Sequence, residues 1–166
     1  MIERLLTRLF PTQQLPFGRR WRIFGNYLSP DTDNSKSLLK RGLPWPFKDC
    51  GVYVHKITQT DTDRHLHGHP YNFGSFVLSG GQCQGVHTPD GVKNEWVRPF
   101  EYYYMPRERY HRVQYLPGGA CWTLFFAGKP KWMIHPDTRT PVHLWGFNVD
   151  GKFMDWVTYG KRYRNV

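Results

Sequence analysis

The sequence predicts an all-β fold, a closed barrel or a sandwich of short strands. Three observations carry that expectation. From Gly51 onward, apolar and polar residues alternate in short runs broken by turn residues, the pattern of half-buried strands. Phe, Tyr and Trp make up 17% of the chain, and large flat side chains suit pleated surfaces better than slim helical bundles. Helical periodicity is almost absent beyond the N-terminus. A chain of 166 residues with 39% hydrophobic side chains suits one domain with one core.

Each element is justified by its own residues. Ile2, Leu5, Leu6 and Leu9 fall on one face of a short N-terminal helix, whose brevity favours docking on the domain over membrane binding. Pro11, Pro16, Pro30, Pro44 and Pro46 interrupt the next stretch, so residues 1–50 read as a helix and an irregular wrapping segment. Within it, Asp31 to Ser35 can cap a short helix over Ser37 to Arg41. The barrel region is 51–158. Its first strand is Val52 to Thr58, and a second, Tyr71 to Leu78, ends at Gly80-Gly81. Gln82 to His87 and Glu95 to Pro99 flank Pro89-Asp90-Gly91, a strong hairpin signal. Glu101 to Met105, Tyr110 to Leu116 and Cys121 to Ala127 continue the series. A last pair, Val142 to Val149 and Lys152 to Thr158, surrounds Asp150-Gly151. Residues 159–166 form a basic tail.

The net charge of +10 favours anionic partners, either small anionic molecules or nucleic acid. No basic block is long enough to form an arm. Cys50, Cys83 and Cys121 are odd in number and show no CxxC spacing, which argues against a disulfide framework or a thiolate zinc site. A reducing, cytoplasmic setting fits, and no apolar run approaches a transmembrane span. The chain has no Walker loop, no GxGxxG and no Ser-His-Asp order, so nucleotide-loop and acyl-transfer chemistry have no support.

Chemistry concentrates in the run Arg64-His-Leu-His-Gly-His-Pro70. Alternate residues of a strand share a face, so two of its imidazoles can point into a barrel together. A third, from a distant strand, would complete one face of a metal ion and leave positions open for substrate or oxygen. His111, entering a strand after Arg107-Glu108-Arg109, is the candidate. His55, His87, His135 and His143 have no partner at ligand spacing and read as structural or surface residues.

These motifs resemble the cupins. That family's first motif is HxH, three or four residues, Glu, six residues, Gly. Here His67-Gly-His69 is followed by Phe73 at the Glu position and then by Gly80. In the second motif, Pro106-Arg-Glu108 precedes His111, with Phe100, Glu108 and Tyr115 replacing two glycines and an asparagine. The spacing selects His67 and His69 over His65. A closer likeness is to small cupin-like proteins of phages and bacteria. It rests on His67-Gly-His69-Pro70-Tyr71, Gly80-Gly81, His111-Arg112-Val113 and Trp145-Gly146-Phe147.

The resemblance implies a single double-stranded β-helix, or jelly-roll, barrel. It also implies a divalent metal on His67, His69 and His111, as in the cupin thiol dioxygenases, which hold ferrous iron on three histidines. Iron is the first choice, with nickel, zinc or manganese as alternatives. The reaction expected is dioxygenase-like, on a small anionic substrate. A non-catalytic binding module and a nucleic-acid-associated protein are the alternatives, and pairing of two chains through an outer sheet face would suit the fold.

By alternation, Tyr71, Phe73, Ser75 and Val77 share the inward face of His67 and His69, and Val113 and Tyr115 share that of His111. At least one of Tyr102, Tyr103 and Tyr104 should face inward; Tyr104 is the candidate catalytic hydroxyl. Arg109, with Arg64 and Arg112, flanks the histidines and is the candidate fork for a substrate carboxylate or phosphate.

Overall fold

Turn residues fix where the strands stop. Gly80 and Gly81 adopt φ of 85° and 84°, the left-handed region that glycine tolerates best. A Cβ on Gly80 would overlap the Ala120 carbonyl oxygen. Gly91 (φ 113°) closes the hairpin anticipated at Pro89-Asp90-Gly91.

A computed structural model describes residues 1–15, 17–25, 50–134, 139 and 141–164. The helix anticipated over Ser37 to Arg41 lies outside the described residues. In chain order, α1 (Ile2–Leu9) precedes β1 (Thr12–Leu15) and β2 (Gly18–Gly25). Then come β3 (Gly51–Ile57), β4 (Leu66–Gly68), β5 (Phe73–Ser79), β6 (Gln82–Thr88) and β7 (Gly91–Val97). Strands β8 (Tyr102–Met105), β9 (His111–Tyr115) and β10 (Cys121–Ala127) lead to a small ribbon, β11 (Trp132–Ile134) with β12 (Pro141–His143). The chain continues through β13 (Gly146–Val149), β14 (Lys152–Asp155), α2 (Trp156–Tyr159) and a π-helical turn, Gly160–Arg164.

Two antiparallel sheets result. The first has the order β1-β2-β3-β10-β5-β8 and the second β14-β13-β4-β9-β6-β7. Strands β3, β4 and β5 fall alternately in the two sheets, as do β8, β9, β10 and β13. That alternation, with β3-β10-β5-β8 facing β13-β4-β9, is the jelly-roll barrel of cupin type. The hairpins β1–β2 and β6–β7 widen one sheet each.

The core lies between the sheets, and β3, β4, β9 and β10 bury alternate residues there. Strand β3 buries Tyr53, His55 and Ile57 and leaves Val52, Val54 and Lys56 half-buried. One apolar cluster joins Tyr53, Tyr71, Phe73, Met105 and Phe125; another joins Ile57, Val77, Val97, Val113, Leu116 and Cys121. Tyr103 packs against both.

Three local expectations are corrected. The N-terminal segment is not irregular throughout: β1 and β2 form a hairpin that pairs with β3 and extends the sheet. Trp21 anchors it, fully buried, stacked on Trp122 at 5.6 Å and donating from Nε1 to Thr7 Oγ1. Helix α1 does not dock through its leucines. Ile2, Leu5 and Leu9 are exposed, and the helix is held instead by Thr7 and by Glu3, which pairs with Lys56 and Arg19. The last strand stops at Asp155, whose carboxylate accepts from the amides of Val157 and Thr158 and so starts α2. No helix among the described residues is long and apolar enough to cross a membrane.

Replacing Gly80 with Ala forces a left-handed φ on a residue with a Cβ and pushes that Cβ into backbone. The variant should lose about 1–3 kcal/mol in urea unfolding. Gly91→Ala, also left-handed but with open space around its Cβ, should lose less.

Candidate metal centre

Strand register builds the centre. His67 on β4 stands directly opposite His111 on β9. His69, two residues on, returns to the same side. One ring nitrogen from each of the three lies within 4.8 Å of the others. His69 Nε2 and His111 Nε2 are 2.8 Å apart, one donating to the other. Two nitrogens bound at a right angle to one ion, each at about 2.1 Å, would be about 3 Å apart, so this spacing fits a shared metal.

Burial pushes the proton affinity of all three below that of a free imidazole, and their mutual repulsion adds to the effect for His69 and His111. Asp61 and Asp63 offset part of that for His67. The rings are therefore neutral near pH 7, with lone pairs free for a cation. Gln84 Oε1 accepts from His111 Nδ1 at 3.0 Å, which turns the Nε2 lone pair toward His69. Asp61 Oδ2 lies 3.7 Å from His67 Nδ1 and is itself held by the Val113 amide at 2.7 Å. Phe73 forms a wall, its ring 4.7 Å from His69 and 5.9 Å from His111. No carboxylate among the described residues joins the three.

The other sheet buries polar groups of its own. Arg20 on β2 pairs with His55 on β3, and His55 pairs with Thr123 on β10. His55 is buried, stacked on Phe125 at 4.5 Å, and its proton affinity is pushed down to about 3 by burial and then by Arg20. His55 Nε2, Thr123 Oγ1 and Gln82 Oε1 are buried without a hydrogen-bond partner. Sequence reasoning treats His55 as a structural or surface residue. The only signal for it is the inward parity it shares with Tyr53 and Ile57.

The inward parity of Tyr71, Phe73, Ser75 and Val77 holds, all four being buried. Val113 is buried too, but Tyr115 turns out against Trp96, beside a register shift between Cys83 and Gln84. His65 points away from the centre, its Nδ1 3.1 Å from the Tyr159 hydroxyl. Of the three consecutive tyrosines, Tyr103 faces the core, hydrogen-bonded by Gln82 at 3.1 Å. Tyr104 is exposed on the outer face and does not reach the histidines. Arg109 is paired with Glu95, and Arg112 donates to the Asp63 and Arg64 carbonyls. His87 is exposed, and the His135 and His143 side chains lie outside the described residues.

No protein-family model matches the chain, and no curated protein matches it. Among solved structures, it is similar to hydroxypropylphosphonic acid epoxidase from S. wedmorenis. The identity there is 12% and the TM-score 0.46, over 72% of this chain and 55% of that one. It is also similar to an oxalate decarboxylase from Lactobacillus farciminis, solved as a formate complex. That match has 16% identity and a TM-score of 0.49, over 84% of this chain and 34% of that one. The chain thus spans about half the length of the first and about a third of the second. The reading of function rests on the site itself.

This geometry makes two outcomes measurable. Gln84→Leu and Asp61→Asn should each weaken metal affinity by about 10- to 100-fold in competition with a chelator, with the circular dichroism spectrum unchanged. The metal-free chain should also be acid-sensitive. His55, His67, His69 and His111 release protons on folding that the unfolded chain holds below about pH 6.5. Stability should therefore be full above that pH and fall progressively toward about pH 3, where His55 would titrate in the fold. Melting temperatures measured from pH 8 to pH 4 at constant ionic strength check the slope, and His55→Phe should flatten it.

Proposed function

We propose that this chain is a metal-dependent cupin enzyme, a mononuclear non-haem, dioxygenase-like protein acting on a small anionic molecule. His67, His69 and His111 would hold the ion. Iron is the first choice, with nickel, zinc or manganese as alternatives, because imidazole suits them all. The observation that supports this reading is the convergence of three neutral imidazole nitrogens within 4.8 Å, on a buried His111 and half-buried His67 and His69, with no carboxylate joining the group. Bound there, a divalent cation would supply Lewis acidity and, if iron, redox chemistry with oxygen. Three neutral ligands leave its charge uncompensated, which favours an anionic ligand. Tyr71 and Phe73 line the His69 side of the site, with Phe125 packed behind them.

A second reading is a non-catalytic module that binds metal and ligand. It is favoured by the placement of the two anticipated catalytic side chains: Tyr104 is exposed and Arg109 is paired with Glu95. Elemental analysis of tag-free protein should find about one divalent ion per chain, lost in His67→Ala and in His111→Ala. No metal after anaerobic loading with iron, nickel or zinc would end both readings. Oxygen uptake by the iron form with a panel of small anions separates them: consumption supports the enzyme, and binding without consumption the module.

A further inference from the structure

We propose that Thr123 and His55 form a recognition subsite, facing the three histidines, for a hydroxyl group carried by a small anion. This rests on the metal-centre reading above and adds the class of ligand.

The first support is geometric. Arg20, His55 and Thr123 are successive cross-strand partners on β2, β3 and β10, so their side chains leave the same face of the sheet in one row. Thr123 is 1% exposed and His55 7%, and both Thr123 Oγ1 and His55 Nε2 are without a partner. A buried polar atom is costly to leave unpaired, so two adjacent ones mark a place where something else supplies the bond. The row is linked to the histidines by packed rings: His55 lies 4.5 Å from Phe125, Phe125 4.7 Å from Phe73, and Phe73 4.7 Å from His69.

The second support is chemical. A neutral imidazole and a hydroxyl each donate or accept as needed, and neither carries charge. A ligand hydroxyl can bond both groups at once, accepting from one and donating to the other, and it brings no charge into the buried row. The anionic end has other partners: the ion's charge on one side and Arg20 at the end of the row. Arg20 is half-buried, lies 5.0 Å over the Tyr53 ring and is steadied by Gln13 at 2.8 Å. A cationic ligand finds no counter-charge in the row. The one buried acid among the described residues, Asp155, caps α2.

The test compares matched anions that differ by a hydroxyl: lactate with propionate, and glycolate with acetate. Each is titrated calorimetrically into the full chain, metal-free and loaded with zinc, with metal content measured on the same sample. The hydroxy acids should bind more tightly. Thr123→Val should reduce that preference by about tenfold without changing propionate affinity or metal content, and His55→Phe should reduce it likewise. Thr123→Ser, which keeps the hydroxyl, should retain it. An equal preference in wild type and Thr123→Val would show that any selection comes from chelation alone and would overturn the subsite. If no metal loads, the three-histidine reading fails separately. The metal-free titrations then judge the subsite: selection abolished by Thr123→Val upholds it, and no selection overturns it.

Discussion

One backbone register, His67 opposite His111, carries the centre of this molecule. A slip of one residue in either strand would turn an imidazole out of the barrel, because side chains alternate faces. Yet β4 is only three residues long and cannot hold that register alone. Its other edge is held by β13, where Phe147 stands opposite His67. Phe147 in turn is covered by Tyr159, stacked at 3.6 Å, and Tyr159 also receives His65. Arg164 reaches back to Asp63 at 2.8 Å. The basic C-terminal segment thus closes over the strand that carries His67 and leads into His69.

Much of this is legible in the sequence because it is local. Alternation predicts the inner face of β5, and turn residues place most strand ends. The HxH spacing, with the resemblance it supports, singles out His67, His69 and His111. The illegible part depends on partners far along the chain. Asp61 and Gln84 support His67 and His111 only because β9 packs beside β6 and receives Asp61 at Val113. Tyr103 rather than Tyr104 faces inward because its register partner on β5 is Ser75, and three consecutive tyrosines do not reveal which one that is. The β1–β2 hairpin is hidden by Arg19, Arg20 and Arg22 around Trp21, which look like a solvated basic stretch. His55 has no ligand-spaced neighbour in sequence, and Thr123 joins it only through the β3–β10 pairing.

The interior departs from an ordinary core in a way that local rules disfavour. Four imidazoles, two buried and two half-buried, are held neutral, and Thr123, Gln82 and His55 leave buried polar atoms unpaired. Conflicts of this kind concentrate at functional sites. The two apolar clusters carry the hydrophobic burial, so these polar groups need not contribute stability. Tyr103, whose hydroxyl is pushed up to about 12 by burial and so stays protonated, packs against both.

Charge gives the last constraint. Many of the strong cations among the described residues are already paired: Lys56 and Arg19 with Glu3, Arg109 with Glu95, Arg164 with Asp63. Such exposed pairs fix side chains more than they stabilise the fold. The net charge of +10 accompanies a barrel whose interior holds neutral polar groups and a candidate cation site. A positive net charge raises the local concentration of anions without selecting among them. In the proposed site, selection would fall to His55 and Thr123, reading shape and hydrogen bonding, and to a metal charge that three neutral imidazoles leave uncompensated. A small anion satisfies both levels, whereas a polymer backbone would engage only the outer one.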